Sequence, residues 1–179
     1  PDEALNPVLI NLTDEQQTVN GITLESHTAR DQFGDTDSFL NFNGGLLAGS
    51  QGDDTIIADK FFTFRTAQGG NDTILISGDS PIGLLEAGGN YDEGVNWHID
   101  SNTFEYITDG QTFTVTVDGN LQGLTGSWRN DVLVGDDGDN YLRGLGGDDL
   151  LQGLDGDDTF TFDFTNGDTI TAEGGTGDD

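Results

Sequence analysis

The chain has no cysteine and no methionine, which excludes disulfides, thiolate metal sites and thioether ligands alike. Cations are scarce as well: only five residues are Lys or Arg, and Arg30, Lys60, Arg65, Arg129 and Arg143 lie scattered through an acidic sequence. Phosphate backbones are bound by clustered Lys and Arg, so nucleic acid is not expected as a partner. Long apolar runs are also missing. Stretches such as Ile74-Leu75-Ile76 and Gly83-Leu84-Leu85 fall far short of the roughly 20 residues that a bilayer requires, and no membrane span is expected. There are just two histidines, His27 and His98, and no HExxH, so a zinc-protease site is absent from the sequence. No nucleophile elbow, Walker loop or dinucleotide-type glycine motif is present. No basic-then-apolar leader opens the chain, and any export address is expected to lie outside this stretch.

What is abundant is acid and glycine. Thirty-four Asp and Glu set the formal net charge at -29, and 28 of the 179 residues are Gly. Such a polyanion resists compaction through self-repulsion unless cations neutralise it. An acidic disordered tail does not fit 11 Phe and regularly spaced Ile, Leu and Val. A salt-adapted surface would scatter its carboxylates, whereas here Asp clusters beside Gly. With sulfur ligands gone, oxygen ligands remain, and these suit hard cations.

A nine-residue repeat organises the second half. GSWRNDVLV runs from Gly126, GDDGDNYLR from Gly135, GLGGDDLLQ from Gly144 and GLDGDDTFT from Gly153, without a gap. Gly takes the first place each time. Asp131, Asn140, Asp149 and Asp158 take the sixth, Leu133, Leu142, Leu151 and Phe160 the eighth, and Gly138, Gly147 and Gly156 the fourth. Six residues of turn followed by three of strand make two nonapeptides one flattened coil, with the eighth side chain pointing inward. Stacking the coils brings each sixth-position carboxylate beside the one a full coil later.

These nonapeptides resemble the Gly-Gly-x-Gly-x-Asp-x-apolar-x repeats of RTX proteins, calcium-binding bacterial proteins exported by type I secretion. The resemblance implies a parallel β-roll or β-helix with several Ca2+ ions between its turns, each held by sixth-position Asp side chains and carbonyls of the glycine loop. On this chain that pairs Asp131 with Asp149 and Asn140 with Asp158. Asn140 supplies a neutral oxygen and so a weaker site, and Arg129, standing where Gly belongs, marks the outermost turn as a cap. After Thr161 the register is expected to slip by about one residue, leaving Asp168, within FTNGDTIT, as a sixth-position ligand able to pair with Asp149. The closing Gly174-to-Asp179 segment reads as the front of a further repeat, as expected of a fragment.

The same period recurs earlier. GSQGDDTII from Gly49 and AQGGNDTIL from Ala67 place Asp54 over Asp72, with Gly52 and Gly70 at the fourth place, as a further candidate calcium site. ADKFFTFRT between them lacks the turn motif, and FNGGLLAG upstream reads as a degenerate turn and strand. Gly88-Gly89-Asn90-Tyr91-Asp92 suggests one more turn. TFEYIT and TFTVTV around Asp109-Gly110 then read as an inserted β-hairpin, and Asn20-Gly21 as another tight turn. Thr13-Asp14-Glu15-Gln16 resembles a capping box and predicts a short helix over Thr13 to Gln17.

The expected architecture is therefore all-β: a loop-bearing roll over 1–125 carrying the hairpin, and a regular roll over 126–179. The expected function is a non-catalytic, calcium-dependent folding and ligand-binding (adhesion) module of a large secreted or cell-surface protein. The alternatives are an accessory module of a secreted enzyme and a self-assembling surface-layer protein. Tyr91, Trp97 and His98 are candidates for a pocket taking an extracellular glycan or peptide. The bland reading of the same three is a partly buried aromatic cluster. An acid catalyst needs a raised pKa, and Asp in a glycine-rich calcium turn is expected to have the reverse.

Overall fold

The structure is a computed structural model that describes residues 8–26, 28–30, 36–38, 45–59, 61–66, 69–76, 83–87, 91–163 and 168–179. Every regular element among them is a strand, gathered into sheets of seven, six, four and two strands. The short apolar triplets of the nonapeptides form these strands, and parallel pairing at one-coil spacing stacks them. Val132–Val134 lies parallel to Asp149–Asp155 with Leu133 opposite Leu151, and Tyr141–Arg143 lies parallel to Thr159–Thr161 with Leu142 opposite Phe160. Thr55–Ala58 and Asp72–Ile76 pair in the same way, Ile56 opposite Ile74.

This register turns one apolar residue per triplet into a continuous core. Leu133, Leu142, Leu151, Ile56 and Ile74 are all 0% exposed, and Phe64, Leu85 and Leu124 continue the packing. Each such side chain contributes about 1.5–3 kcal/mol relative to an exposed one. In Tyr141–Arg143 and Thr159–Thr161 the flanking residues are half-buried or exposed, so these strands need no longer hydrophobic run.

Elsewhere the pairing is antiparallel. Thr103–Thr108 pairs antiparallel with Gln111–Asp118 across Asp109 and Gly110, whose φ values of 51° and 70° are those of a two-residue hairpin turn. Gln111–Asp118 also lies parallel to Asp72–Ile76, so this strand fills a place in the seven-stranded sheet. Asn20 and Gly21 make the same kind of turn between Gln17–Val19 and Ile22–Leu24.

Three expectations need correction or fall outside the described residues. No helix forms over Thr13 to Gln17. Asn11 Oδ1 accepts the Thr13 N–H at 3.0 Å and the Thr13 hydroxyl at 2.8 Å, and the chain bends into a strand at Gln17. One turn of helix has too few hydrogen bonds to compete. After Thr161 the register shifts by three residues rather than one: Asp149 pairs with Ile170, and the Asp158 N–H meets Asp179 Oδ1 at 3.1 Å across a separation of 21. The Phe42-to-Gly44, Ala67-Gln68, Gly88-to-Asn90 and Phe164-to-Gly167 parts of the proposed turns lie outside the described residues.

Candidate metal centre

Each turn is built around its sixth residue. A Cβ added to Gly49, Gly126, Gly144 or Gly153 would collide with the side-chain oxygen of Asp54, Asp131, Asp149 or Asp158, five residues on, and Gly135 stands to Asn140 in the same way. The first-place glycine thus makes room for a carboxylate folded back over the turn. At the fourth place the constraint is between coils, where Gly147 has φ +113° and lies against the Arg129 carbonyl, an approach that admits no side chain.

Two hydrogen-bond ladders join successive coils. In one, the backbone N–H of each sixth residue donates to the sixth side chain one coil later: Asp54 to Asp72 at 3.0 Å, Asp131 to Asp149 at 2.9 Å, and Asn140 to Asp158 at 2.9 Å. The vertical pairs expected from the spacing are therefore neighbours. The second ladder runs through the fifth residues in the opposite sense. The Asn71 N–H donates to Asp53 Oδ1 at 2.8 Å, Asp148 to Asn130 at 2.9 Å, and Asp157 to Asp139 at 2.9 Å. Sequence reasoning missed this fifth-place role. The signal was available in the doublets Asp53-Asp54, Asn71-Asp72, Asn130-Asp131, Asp139-Asn140, Asp148-Asp149 and Asp157-Asp158, each Asp or Asn at both places.

The sixth-place carboxylates then divide into two kinds. Asp131 is fully engaged: Oδ1 accepts the Val95 N–H at 2.7 Å and the Ser127 hydroxyl at 3.0 Å, while Oδ2 accepts the Ser127 N–H at 2.6 Å. Asp54 repeats this with Val8 and Ser50. Asp149 and Asp158 differ, because Oδ2 of each is buried with no hydrogen-bond partner among the described residues. A buried, unpaired carboxylate oxygen is costly, and an oxygen-loving cation is the partner it fits.

Electrostatics point the same way. Burial pushes the Asp149 carboxyl up to about 6, against the lowering hydrogen bond from Asp131, and the charges of Asp131, Asp168 and Asp148 push it further up. Burial likewise raises Asp72 to about 7, with Asp54 and Asp53 adding to it. Asp131 and Asp158 are also raised, in both cases first by burial. Burial thus outweighs the backbone donors at these four carboxyls.

Asp168 does not take a sixth place. Ile170 occupies the level above Asp149, and Asp168 stands two residues earlier, though near enough for its charge to act on Asp149. Asp179 is instead the missed partner, stacked on Asp158. Among the described residues no three His, Asp or Glu side chains converge, so a cation would rest on one or two carboxylates with turn carbonyls completing its oxygen shell.

The aromatic pocket requires correction. Tyr91 and Trp97 are each 1% exposed and belong to the core. Trp97 stacks edge-on with Phe104 at 5.8 Å, and its Nε1–H donates to the Glu105 carbonyl at 2.7 Å. Tyr91 stacks on Tyr106 at 5.1 Å and bonds the Thr66 hydroxyl. His98 is exposed on the opposite face of the same strand. Alternation along the strand sends Trp97 inward and His98 outward, so the three do not line one pocket.

Residues 125–160 match the family model of the RTX calcium-binding nonapeptide repeat, in four copies. No curated protein matches the chain.

Proposed function

We propose, taking the RTX repeats of residues 125–160 as premise, that the chain is a calcium-dependent, non-catalytic folding module of an exported bacterial protein. In this reading its parallel ladders are successive turns of a β-roll and the 103–118 strands a hairpin inserted into it. The observation that carries the proposal is the pair of buried, unpartnered oxygens on Asp149 and Asp158 in a chain of net charge -29. Asp149 and Asp158 would hold the cation, with Asp179 stacked on Asp158, Asp168 adding charge beside Asp149, and turn carbonyls supplying neutral oxygens. Bound calcium would supply the positive charge that these buried carboxylates lack. In low calcium the repulsion among them keeps the distal turns open, which suits export. Millimolar calcium outside the cell matches the roughly 0.1–1 mM dissociation constants of extracellular modules and closes them.

The adhesion role belongs to this proposal at the level of the parent molecule. With Tyr91 and Trp97 in the core, the module would act by holding other surfaces in place rather than through an aromatic pocket of its own. A calcium titration followed by circular dichroism, with magnesium and chelator in parallel, tests the reading. A calcium-specific gain of β signal is expected, and identical spectra in chelator and calcium would sink it.

A further inference from the structure

We propose that the chain is divided into a part that folds without calcium and a part that needs it, with the second residue deciding which in each turn where that residue is described. The proposal rests on Asp149 and Asp158 being the cation-binding residues.

Three turns stand first in their ladders, preceded by Val8, Val95 or Gln122 where a carboxylate would otherwise be. All three are closed by the side chain at the second place. In the turn at 126–131 the Ser127 hydroxyl donates to Asp131 Oδ1 at 3.0 Å and accepts the Arg129 N–H at 3.1 Å. Ser50 repeats the pattern in the turn at 49–54, donating to Asp54 at 2.8 Å and accepting the Gly52 N–H at 3.0 Å. In the turn at 135–140 the polarity is exchanged. Asp136 Oδ1 accepts Asn140 Nδ2–H and the Gly138 N–H, both at 2.9 Å, and the Asp136 N–H donates to Asn140 Oδ1 at 2.7 Å. These turns hold their sixth residues with protein donors alone.

The later turns cannot do this. Leu145 and Leu154 occupy the second place with φ values of 75° and 81°, and neither has a polar side chain to offer the carboxylate. Theirs are the turns in which Asp149 Oδ2 and Asp158 Oδ2 remain unpartnered. Arg129 adds a fixed cation to the earlier set: its Nε–H donates to the Tyr91 carbonyl at 3.0 Å, bridging two coils where the preceding one has Val95 in the sixth place. Polar side chains at the second place thus do for the first levels what an ion must do for the later ones.

The consequence is a direction of assembly. Strands Gly123–Thr125, Val132–Val134 and Tyr141–Arg143 remain in place in low calcium, and the segments 144–161 and 168–179 stack on them when calcium arrives. This places a preformed template next to the switch.

Amide hydrogen exchange on the whole chain, in chelator and in millimolar calcium, tests the division. In chelator the Ser50, Val95 and Ser127 amides are expected to be slowed about 100-fold or more, while those of Leu150, Leu151 and residues 170–176 exchange as in an open chain. Calcium should slow only the second group. Ser127→Ala should lower protection of residues 95–134 in chelator by about tenfold or more. Chelator that strips protection from both groups alike, with calcium restoring both, overturns the division while leaving the calcium reading intact. No effect of calcium on residues 150–176 removes the calcium reading itself. Unchanged protection in Ser127→Ala overturns the role given to the second place.

Discussion

A carboxylate that must fold back over its own turn dictates the residue beneath it. Gly153 is such a residue, since a methyl group there would overlap Asp158 Oδ2, the same oxygen that has no partner among the described residues. Gly138 provides the contrast within the same repeat array: its added Cβ would meet nothing closer than Asp136 Oδ1 at 3.2 Å, and its φ is not positive. Gly153→Ala is therefore expected to cost about 1–3 kcal/mol through overpacking and to weaken calcium binding as well. Gly138→Ala should stay within about 1 kcal/mol of the parent. Urea melts in saturating calcium check both stability figures, and calcium titrations check the weakened binding of Gly153→Ala. Equal effects at both positions would show that the glycines serve chain flexibility in general rather than space for the carboxylate.

At the scale of the element, a three-residue strand has little intrinsic preference for its place and is held by the one side chain that it turns inward. Leu142 is 0% exposed between Leu124 and Phe160 in its ladder, so Leu142→Ala should destabilise the chain by about 2–5 kcal/mol. Trp97→Phe keeps an aromatic ring against Phe104 and loses the donor to the Glu105 carbonyl, for a smaller cost of about 0.5–1.5 kcal/mol. Thermal or urea unfolding measures both, and a Trp97→Phe protein as damaged as Leu142→Ala would mean that ring volume, not the hydrogen bond, fixes the hairpin. Period and spacing made the Leu133, Leu142 and Leu151 column legible, because strict repetition leaves a single inward position. The turns at Asn20-Gly21 and Asp109-Gly110 were legible for a similar reason, since few residues tolerate positive φ there. Tyr91 and Trp97 were legible only as a choice between buried cluster and pocket, and the cluster is what forms: an aromatic beside a histidine reads alike whether the ring is covered or open, and what covers Trp97 is a hairpin that comes later in the chain. The shift at Ile170 was equally hidden, because Asp168 looks like a sixth-place residue until strand pairing assigns that level to another.

For the whole molecule, charge and burial pull in opposite directions, and pH exposes the conflict. The Asp72 and Asp149 carboxyls lie at about 7 and about 6 in the folded chain, both raised from 3.8 mainly by burial. A raised carboxyl means that the folded state keeps a proton that the unfolded state has lost, so this contribution to stability is fully present below the unfolded value and disappears as pH rises through the folded one. In chelator, stability should therefore fall between about pH 4 and pH 7, by up to about 1.4 kcal/mol per pH unit for each carboxyl that titrates. Calcium reverses the sign for Asp149, because a cation binds the deprotonated form and competes with the proton. The stabilisation added by a fixed calcium concentration should accordingly grow over the window in which the metal-free protein weakens. Urea midpoints taken across this range, with and without calcium, give two curves that diverge as pH rises. Parallel curves would mean that the protons and the cation act at separate places, and that Asp149 is not where calcium binds.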